Sequence, residues 1–174
     1  MSDTQYRGRA WVFGDDIAND GGLMPLEFVL NQEYDPDVLA KHVFARLMPT
    51  LAAQAKAQDV VFAGRNFGYG NPHVQGFLGL KGLGVGLVVD TMSRGPFRAC
   101  VNAGVPVLTG VALQAFTVET GDEVEVDFDT GHIVNESRGT KTVVQPTSDL
   151  LRQIVRAGGG LAYTKQVLSK RTAQ

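Results

Sequence analysis

The stretch Asp59-Val-Val-Phe-Ala-Gly-Arg-Asn-Phe-Gly-Tyr-Gly-Asn-Pro-His73 decides the fold of this chain. Its first five residues form a largely apolar run that is typical of a short buried strand. A loop with glycines at 64, 68 and 70 follows, and a helical pattern then covers about 74–83. Glycine adopts positive φ without strain, and open α/β sheets bind ligands at the loops that follow their strands. We therefore expect the functional surface at this loop.

Strand and helix patterns alternate on both sides of this stretch. Further strand patterns lie at 9–13, 85–90 and 105–108. Helical patterns lie at 35–47, 50–58 and 96–103. The order βαβαβ predicts a parallel sheet covered by helices.

The pattern changes after about Phe116. Residues 123–128 alternate between polar and apolar side chains, and further strand patterns at 132–135 and 140–145 predict an antiparallel meander. Helices are predicted over 149–157 and from 160 to about 170. No Pro/Ser-rich linker separates the two parts, so we predict one domain over 1–174, with a core at 8–168 and tails at 1–7 and 169–174.

The composition excludes several classes of partner. The chain has 174 residues, of which 44% are hydrophobic, and a formal net charge of −2. Such a charge provides no bulk attraction for nucleic acid. No window approaches a membrane span, and the first residues contain no apolar core of signal-peptide length, so we expect no signal peptide. We therefore expect a cytoplasmic protein that binds neither nucleic acid nor membrane.

Cys100 is the only cysteine of the chain. A single cysteine cannot form an internal disulfide, and it cannot supply the several thiolates that hold an iron–sulfur cluster. Its neighbours predict a packed, buried thiol instead of a nucleophile. Asp15, Asp16 and Asp20 lack the spacing of a calcium-binding loop, so we interpret them as turn-forming residues and predict no metal on this chain.

Three segments carry a resemblance to a known family: 64–70, 93–108 and 121–131. They resemble the small subunit of 3-isopropylmalate dehydratase, which is the detached swivelling domain of the aconitase superfamily. The resemblance is collinear from residue 8 to about 168 and includes 12–20 and 154–160. It implies an α/β swivel domain: a βαβαβ parallel or mixed sheet, an antiparallel meander and carboxyl-terminal helices.

The resemblance also implies a two-chain hydro-lyase of leucine biosynthesis. A large partner subunit would carry a [4Fe–4S] cluster, in a heterodimer or heterotetramer, and this chain would be inactive without it. The pair would dehydrate, hydrate or isomerise a 2-hydroxy diacid such as a 2-alkylmalate. The apolar run 23–26 favours a substrate with an alkyl group over one with a third carboxylate.

The family supplies a serine base and a substrate-binding arginine from the loop after the glycines. Asn71, Pro72, His73 and Val74 stand at those positions here. Asparagine accepts no proton at neutral pH, whereas an imidazole titrates near neutrality. The candidate catalytic residues are therefore His73 and, at the place of the serine, Asn71. The alternative for His73 is a solvent-exposed side chain at the start of a helix.

Substrate binding is assigned by the resemblance to residues in three segments. They are Asp20, Arg65, Asn66, Gly68, Gly70, Arg94 and Arg98. Arg98 would point into the cleft or form an ordinary ion pair with Asp90 or Asp20. For Asn66 we favour a loop-shaping hydrogen bond over direct contact with substrate.

Two other functions fit the same residues. The chain could be a non-catalytic paralogue that keeps the swivel fold as a binding or regulatory subunit, because the family serine and arginine are absent. Alternatively, it could bind a small diacid alone through the loop at 64–73.

Overall fold

All strands of the computed structural model, which describes residues 4–172, belong to one sheet. They are β1 (Gln5–Val12), β2 (Val60–Ala63), β3 (Gly86–Val89), β4 (Val107–Thr109), β5 (Glu123–Asp127), β6 (His132–Asn135) and β7 (Thr140–Val143). Their order is β4-β3-β2-β1-β5-β6-β7. The first four strands are parallel, and the last three extend the sheet as an antiparallel meander beside β1. The predicted mixed sheet is confirmed.

Seven α-helices and one 3-10 turn (Ala40–His42) connect the strands within the described residues. They are α1 (Leu26–Leu30), α2 (Pro36–Leu39), α3 (Leu51–Gln54), α4 (Gln75–Leu83), α5 (Arg94–Ala103), α6 (Asp149–Arg156) and α7 (Gly160–Thr172). Both α4 and α5 follow a parallel strand, as the sequence predicts. α5 begins two residues earlier than expected, so Arg94 belongs to its first turn.

The boundaries of the predicted tails are wrong. Strand β1 begins at Gln5, because its first half pairs with β5 from Gln5↔Asp127 to Arg9↔Glu123. Residues 5–7 therefore belong to the sheet. At the other end, α7 continues to Thr172, so 169–172 are helical.

The long helix predicted over 35–47 is also wrong. Only α2 and the 3-10 turn form, because Val43 is extended and Phe44 has a φ of +55°. The Phe44 ring stacks on Phe13 with 4.1 Å between ring centroids, and its N–H donates to the Leu23 carbonyl at 2.9 Å. Burial of this ring outweighs the local helical pattern.

The core lies on both faces of the sheet, because successive strand residues point to opposite sides. In β2, Val61 packs with the layer under α4 and α5, whereas Phe62 packs with the opposite layer, which contains Phe116. The prediction for Cys100 is confirmed: the side chain is fully buried in the first layer. Burial raises the pKa of its thiol, so it stays protonated.

A buried carboxylate joins β1 to the turn before β2. Asp59 is 4% exposed and accepts three hydrogen bonds. The donors are the backbone N–H of Arg9 at 2.8 Å, the indole Nε1 of Trp11 at 2.9 Å and the backbone N–H of Lys56 at 3.0 Å. These bonds fix the amino-terminal edge of the parallel strands.

A second polar network closes the meander around Asp122. Its Oδ2 accepts from Arg138 Nε at 2.6 Å and from Asn135 Nδ2 at 2.8 Å. These hydrogen bonds lower the pKa of Asp122 to about 2, and the bond from Arg138 makes the largest contribution.

This network predicts a specific loss of stability in acid. A folded-state pKa below the unfolded value of about 3.9 stabilises the protein above that pH, and the contribution disappears as the pH falls through about 2. Asp122→Asn should therefore reduce the free energy of unfolding at neutral pH and flatten its decline between about pH 4 and 2. Urea titrations across this range test it, with Asp37→Asn as an exposed control. Equal acid slopes for wild type and Asp122→Asn would contradict the assignment.

Candidate functional site

Three loops meet at the carboxyl-terminal edge of the parallel strands. They follow β1, β2 and β3, and single bridges join them at Ala18↔Tyr69 and Phe67↔Met92. The residues predicted from the sequence to form a site are therefore brought to one edge, although they come from distant parts of the chain.

Arg65 and Asn66 hold the first two loops together. Arg65 donates to Asp15 Oδ2 from Nη2 at 2.8 Å and from Nε at 3.1 Å, and its backbone N–H donates to Asp15 Oδ1 at 2.8 Å. Hydrogen bonds from the Arg65 backbone and guanidinium lower the pKa of Asp15. Asn66 Nδ2 donates to Asp16 Oδ1 at 2.8 Å, and its N–H donates to Thr91 Oγ1 at 2.9 Å. This geometry favours loop shaping by both residues over contact with substrate.

Two glycines of the loop adopt positive φ for different reasons. Gly68, at +73°, lies against α5: a Cβ there would be 3.1 Å from Pro96 Cβ. Gly70, at +94°, faces open space. A side chain at position 68 would therefore push the loop away from α5, whereas position 70 is constrained by conformation alone.

His73 and Asp20 form a hydrogen-bonded pair at this edge. The distance between His73 Nδ1 and Asp20 Oδ1 is 2.8 Å, and the side chains are 34% and 25% exposed. Helix α4 begins at Gln75, so His73 precedes the helix and is not a freely exposed first-turn residue. Because a carboxylate accepts, the bond favours the tautomer with the proton on Nδ1, which leaves Nε2 as a proton acceptor.

Asn71 and Pro72 form the exposed tip of the same turn. The Asn71 carbonyl accepts from the His73 N–H at 2.8 Å, whereas its amide side chain forms no hydrogen bond within residues 4–172. Pro72 packs toward the start of α5, where a Cβ on Gly95 would lie 3.2 Å from Pro72 Cβ. The turn therefore rests on α5 and presents the Asn71 amide to solvent.

Arg94 and Arg98 are free cations beside this turn. They lie one turn apart on α5, both are exposed, and neither forms an ion pair with a described residue. The ion pair expected between Arg98 and Asp90 or Asp20 does not form among residues 4–172, and the Asp20 carboxylate is hydrogen-bonded to His73 instead. Both guanidinium groups are available to an anionic ligand.

The apolar run at 23–26 contributes less to this surface than the sequence suggested. Leu23 and Met24 are buried in the core, and only Leu26 is well exposed, at 42%. An argument about substrate alkyl groups from this run therefore rests on Leu26 alone.

Sequence reasoning missed Asn19, which is buried at 1% exposure. Its Nδ2 donates to the carbonyls of Asn71 and His73, at 2.9 Å each. The only available signal was its place between Ala18 and Asp20, inside the segment 12–20 that carries the resemblance.

The described residues do not form a metal site: among residues 4–172 no three His, Cys, Asp or Glu side chains are grouped to hold an ion. A buried, protonated thiol at Cys100 does not suit a cluster either. In the same part of the chain, none of the helices has the length and apolarity needed to cross a membrane.

Comparison with known proteins identifies relatives along nearly the whole chain. It is 38% identical over 161 residues to 3-isopropylmalate dehydratase small subunit 1 of Archaeoglobus fulgidus, covering 92% of this chain and 97% of that protein. The small subunit of Methanosarcina mazei is 37% identical, with 95% and 99% covered. The isopropylmalate/citramalate isomerase small subunit of Methanocaldococcus jannaschii is 30% identical, with 94% and 96% covered.

A solved structure shares the fold. The crystal structure of 3-isopropylmalate dehydratase from Methanocaldococcus jannaschii superposes with a TM-score of 0.87 at 28% identity, covering 97% of this chain and 98% of that one. No family model matches this sequence.

Proposed function

The chain belongs to the family of 3-isopropylmalate dehydratase small subunits, and on that premise we propose that it is the lid-forming subunit of a hydro-lyase acting on a 2-alkylmalate. The observation that carries the proposal is the His73–Asp20 pair at the carboxyl-terminal edge of the sheet. Asn71 stands at the position of the family serine in this chain, and the pair offers an imidazole as base two residues further on.

In this proposal His73 Nε2 accepts the proton from the substrate carbon beside a carboxylate. The electrons of the broken C–H bond form the carbon–carbon double bond, and the hydroxyl on the adjacent carbon leaves as hydroxide. The hydroxide takes up a proton from solvent to become water, and the His73 imidazolium later returns its proton to solvent. Rehydration reverses these steps. Asp20 stabilises the imidazolium that forms, as a carboxylate paired with Nδ1 does in other His-dependent enzymes.

Arg94 and Arg98 would bind the substrate carboxylates. Two exposed guanidinium groups without ion pairs supply the positive charge that a dianionic substrate requires. The unpaired amide of Asn71 would donate a hydrogen bond to the same substrate. Gly68 and Gly70 shape the loop beneath it, and Arg65 and Asn66 brace it.

The metal centre would belong to a large partner subunit, because the described residues of this chain do not suit one. Its [4Fe–4S] cluster would supply a Lewis acid for the departing hydroxyl. This chain would then be inactive alone, and its carboxyl-terminal edge would close over that centre.

Reconstitution with a large subunit of the same family tests the function. The pair, with its cluster intact, should interconvert hydroxyl isomers of 2-alkylmalates such as isopropylmalate or citramalate, whereas this chain alone should show no turnover. An assembled, cluster-loaded complex without activity on any 2-alkylmalate or its unsaturated diacid would overturn the proposal.

The arginines give a second test of the same surface. Arg94→Gln and Arg98→Gln should each raise KM about 10- to 100-fold, because loss of a charged hydrogen bond costs about 1.5–3 kcal/mol. Thermal stability should change little, since neither side chain forms an ion pair in the described structure. Arg171→Gln at the exposed end of α7 is the matched control. Unchanged KM in both α5 variants would exclude carboxylate binding by these arginines.

A second candidate is a non-catalytic subunit that keeps the interface. It is favoured by Asn71 and Pro72, which provide no base at the tip of the turn. Full activity of the complex after His73→Ala, with loss of assembly when this chain is omitted, would select this alternative.

A further inference from the structure

One buried residue holds the whole turn that carries His73. The Asn19 backbone N–H donates to the Tyr69 carbonyl at 2.8 Å, and its Nδ2 donates to the carbonyls of Asn71 and His73 at 2.9 Å. Alternate carbonyls at 69, 71 and 73 are therefore bound by a single residue. Since the side chain is 1% exposed, water does not compete for these bonds.

This arrangement leaves the other amide atom unsatisfied. Asn19 Oδ1 is buried and has no hydrogen-bond partner among the described residues. A Cβ on Gly76 would lie 3.4 Å from this oxygen and 2.5 Å from Leu23 Cγ, so the surroundings are tightly packed. A buried acceptor without a partner costs on the order of 1–3 kcal/mol. The Asn19 amide is oriented with both Nδ2 hydrogens toward the turn, and this orientation leaves Oδ1 without a partner.

His73 is thereby held at two points by two adjacent residues. Asn19 binds its carbonyl, and Asp20 binds its imidazole Nδ1 at 2.8 Å. Because residues 19 and 20 are adjacent, the bond to the carbonyl keeps the His73 backbone next to Asp20, within reach of its carboxylate. A threonine, with a single hydroxyl, could serve only one of the two carbonyls that Nδ2 binds.

We propose that Asn19 is a positioning residue for His73: its buried amide sets the imidazole tautomer by holding the turn against Asp20. The positioning itself is a property of this chain alone. Its consequence for the reaction rests on the proposed function.

Nitrogen-15 NMR of the histidine side chains in the full chain tests the positioning directly. Above about pH 8, where an ordinary imidazole is neutral, wild-type His73 should show one tautomer with the proton on Nδ1. His42→Gln and His132→Gln assign the signals. Asn19→Asp keeps the shape of the side chain but removes both donors, so it should give a mixture of tautomers. Asn19→Thr, which retains one donor, should lie between them.

Asn135→Asp is the matched control, because Asn135 is also fully buried and its Nδ2 also donates twice, to the Thr117 carbonyl and to Asp122. It should lower the thermal midpoint but leave the His73 signals unchanged. If Asn19→Asp does not fold, Asn19→Thr carries the test. An unchanged His73 tautomer in a folded Asn19 variant, or an equal change in Asn135→Asp, would overturn the inference.

Activity of the reconstituted complex separates this inference from the proposed function. If both hold, Asn19→Asp should lower kcat about 10-fold or more with little change in KM, and should have no further effect in a His73→Ala background. An altered tautomer with unaltered kcat would support the positioning and contradict catalysis by His73.

Discussion

Replacement of His73 by alanine should lower kcat of the reconstituted complex about 10²- to 10⁴-fold, the usual contribution of a general acid or base. The reason is the geometry of the pair: Nδ1 is 2.8 Å from Asp20 Oδ1, which leaves Nε2 to accept a proton. The KM should change much less, because in the proposed function Arg94 and Arg98 bind the substrate carboxylates. Steady-state kinetics over a panel of 2-alkylmalates provide the measurement.

Two matched variants make this prediction specific. His132→Ala removes a histidine of β6 whose Nδ1 is hydrogen-bonded to Thr130 Oγ1, and it should keep wild-type kinetics. Asp20→Asn should lower kcat less than His73→Ala does, since the imidazole remains but its tautomer is no longer favoured. Wild-type kcat in His73→Ala would show that this residue is not the base.

Replacement of Asp59 by alanine should produce the largest loss of stability, about 4 kcal/mol. The substitution leaves the indole N–H of Trp11 and the backbone N–H groups of Arg9 and Lys56 without their acceptor in a buried place. Urea unfolding followed by the fluorescence of Trp11, the only tryptophan, measures the effect. The midpoint should fall while the slope stays constant.

Two control variants test the prediction for Asp59: one removes only its charge, and the other removes a carboxylate that is exposed. Asp59→Asn keeps one acceptor oxygen and should cost less than alanine. Glu136→Ala, at an exposed carboxylate, should change stability by less than about 0.5 kcal/mol. If Asp59→Ala were as stable as Glu136→Ala, the three hydrogen bonds would not anchor the sheet.

The sheet could be predicted because its strands are marked by alternating or continuous apolar residues in the sequence. The alternation at 123–128 and the apolar run before the glycine loop correspond to β5 and β2. The helix predicted over 35–47 failed at Phe44, whose positive φ is stabilised by the distant ring of Phe13. No local pattern contains that contact.

In the candidate site, too, single residues could be predicted from the sequence, whereas contacts between distant residues could not. His73 and Asp20 were each identified from the sequence, but they are 53 residues apart and their pairing depends on the bridge between the loops. One of the two partners expected for Arg98, Asp20, is bonded to His73 instead. Asn19 was missed because a buried amide has no pattern of its own.

The central claim is that the turn carrying His73 faces the large subunit. Protection of this turn by that subunit tests the claim most directly. Because Cys100 is buried, Asn71→Cys would place a single exposed thiol at the tip of the turn. The rate at which this thiol is alkylated can be followed by the mass increase of the chain. It should fall at least about 10-fold when the large subunit is added, because binding buries the thiol in the interface. Ser169→Cys on α7 should react at an unchanged rate. Slower alkylation at 169 with an unchanged rate at 71 would show that the partner covers a different face, and would contradict this account of the site.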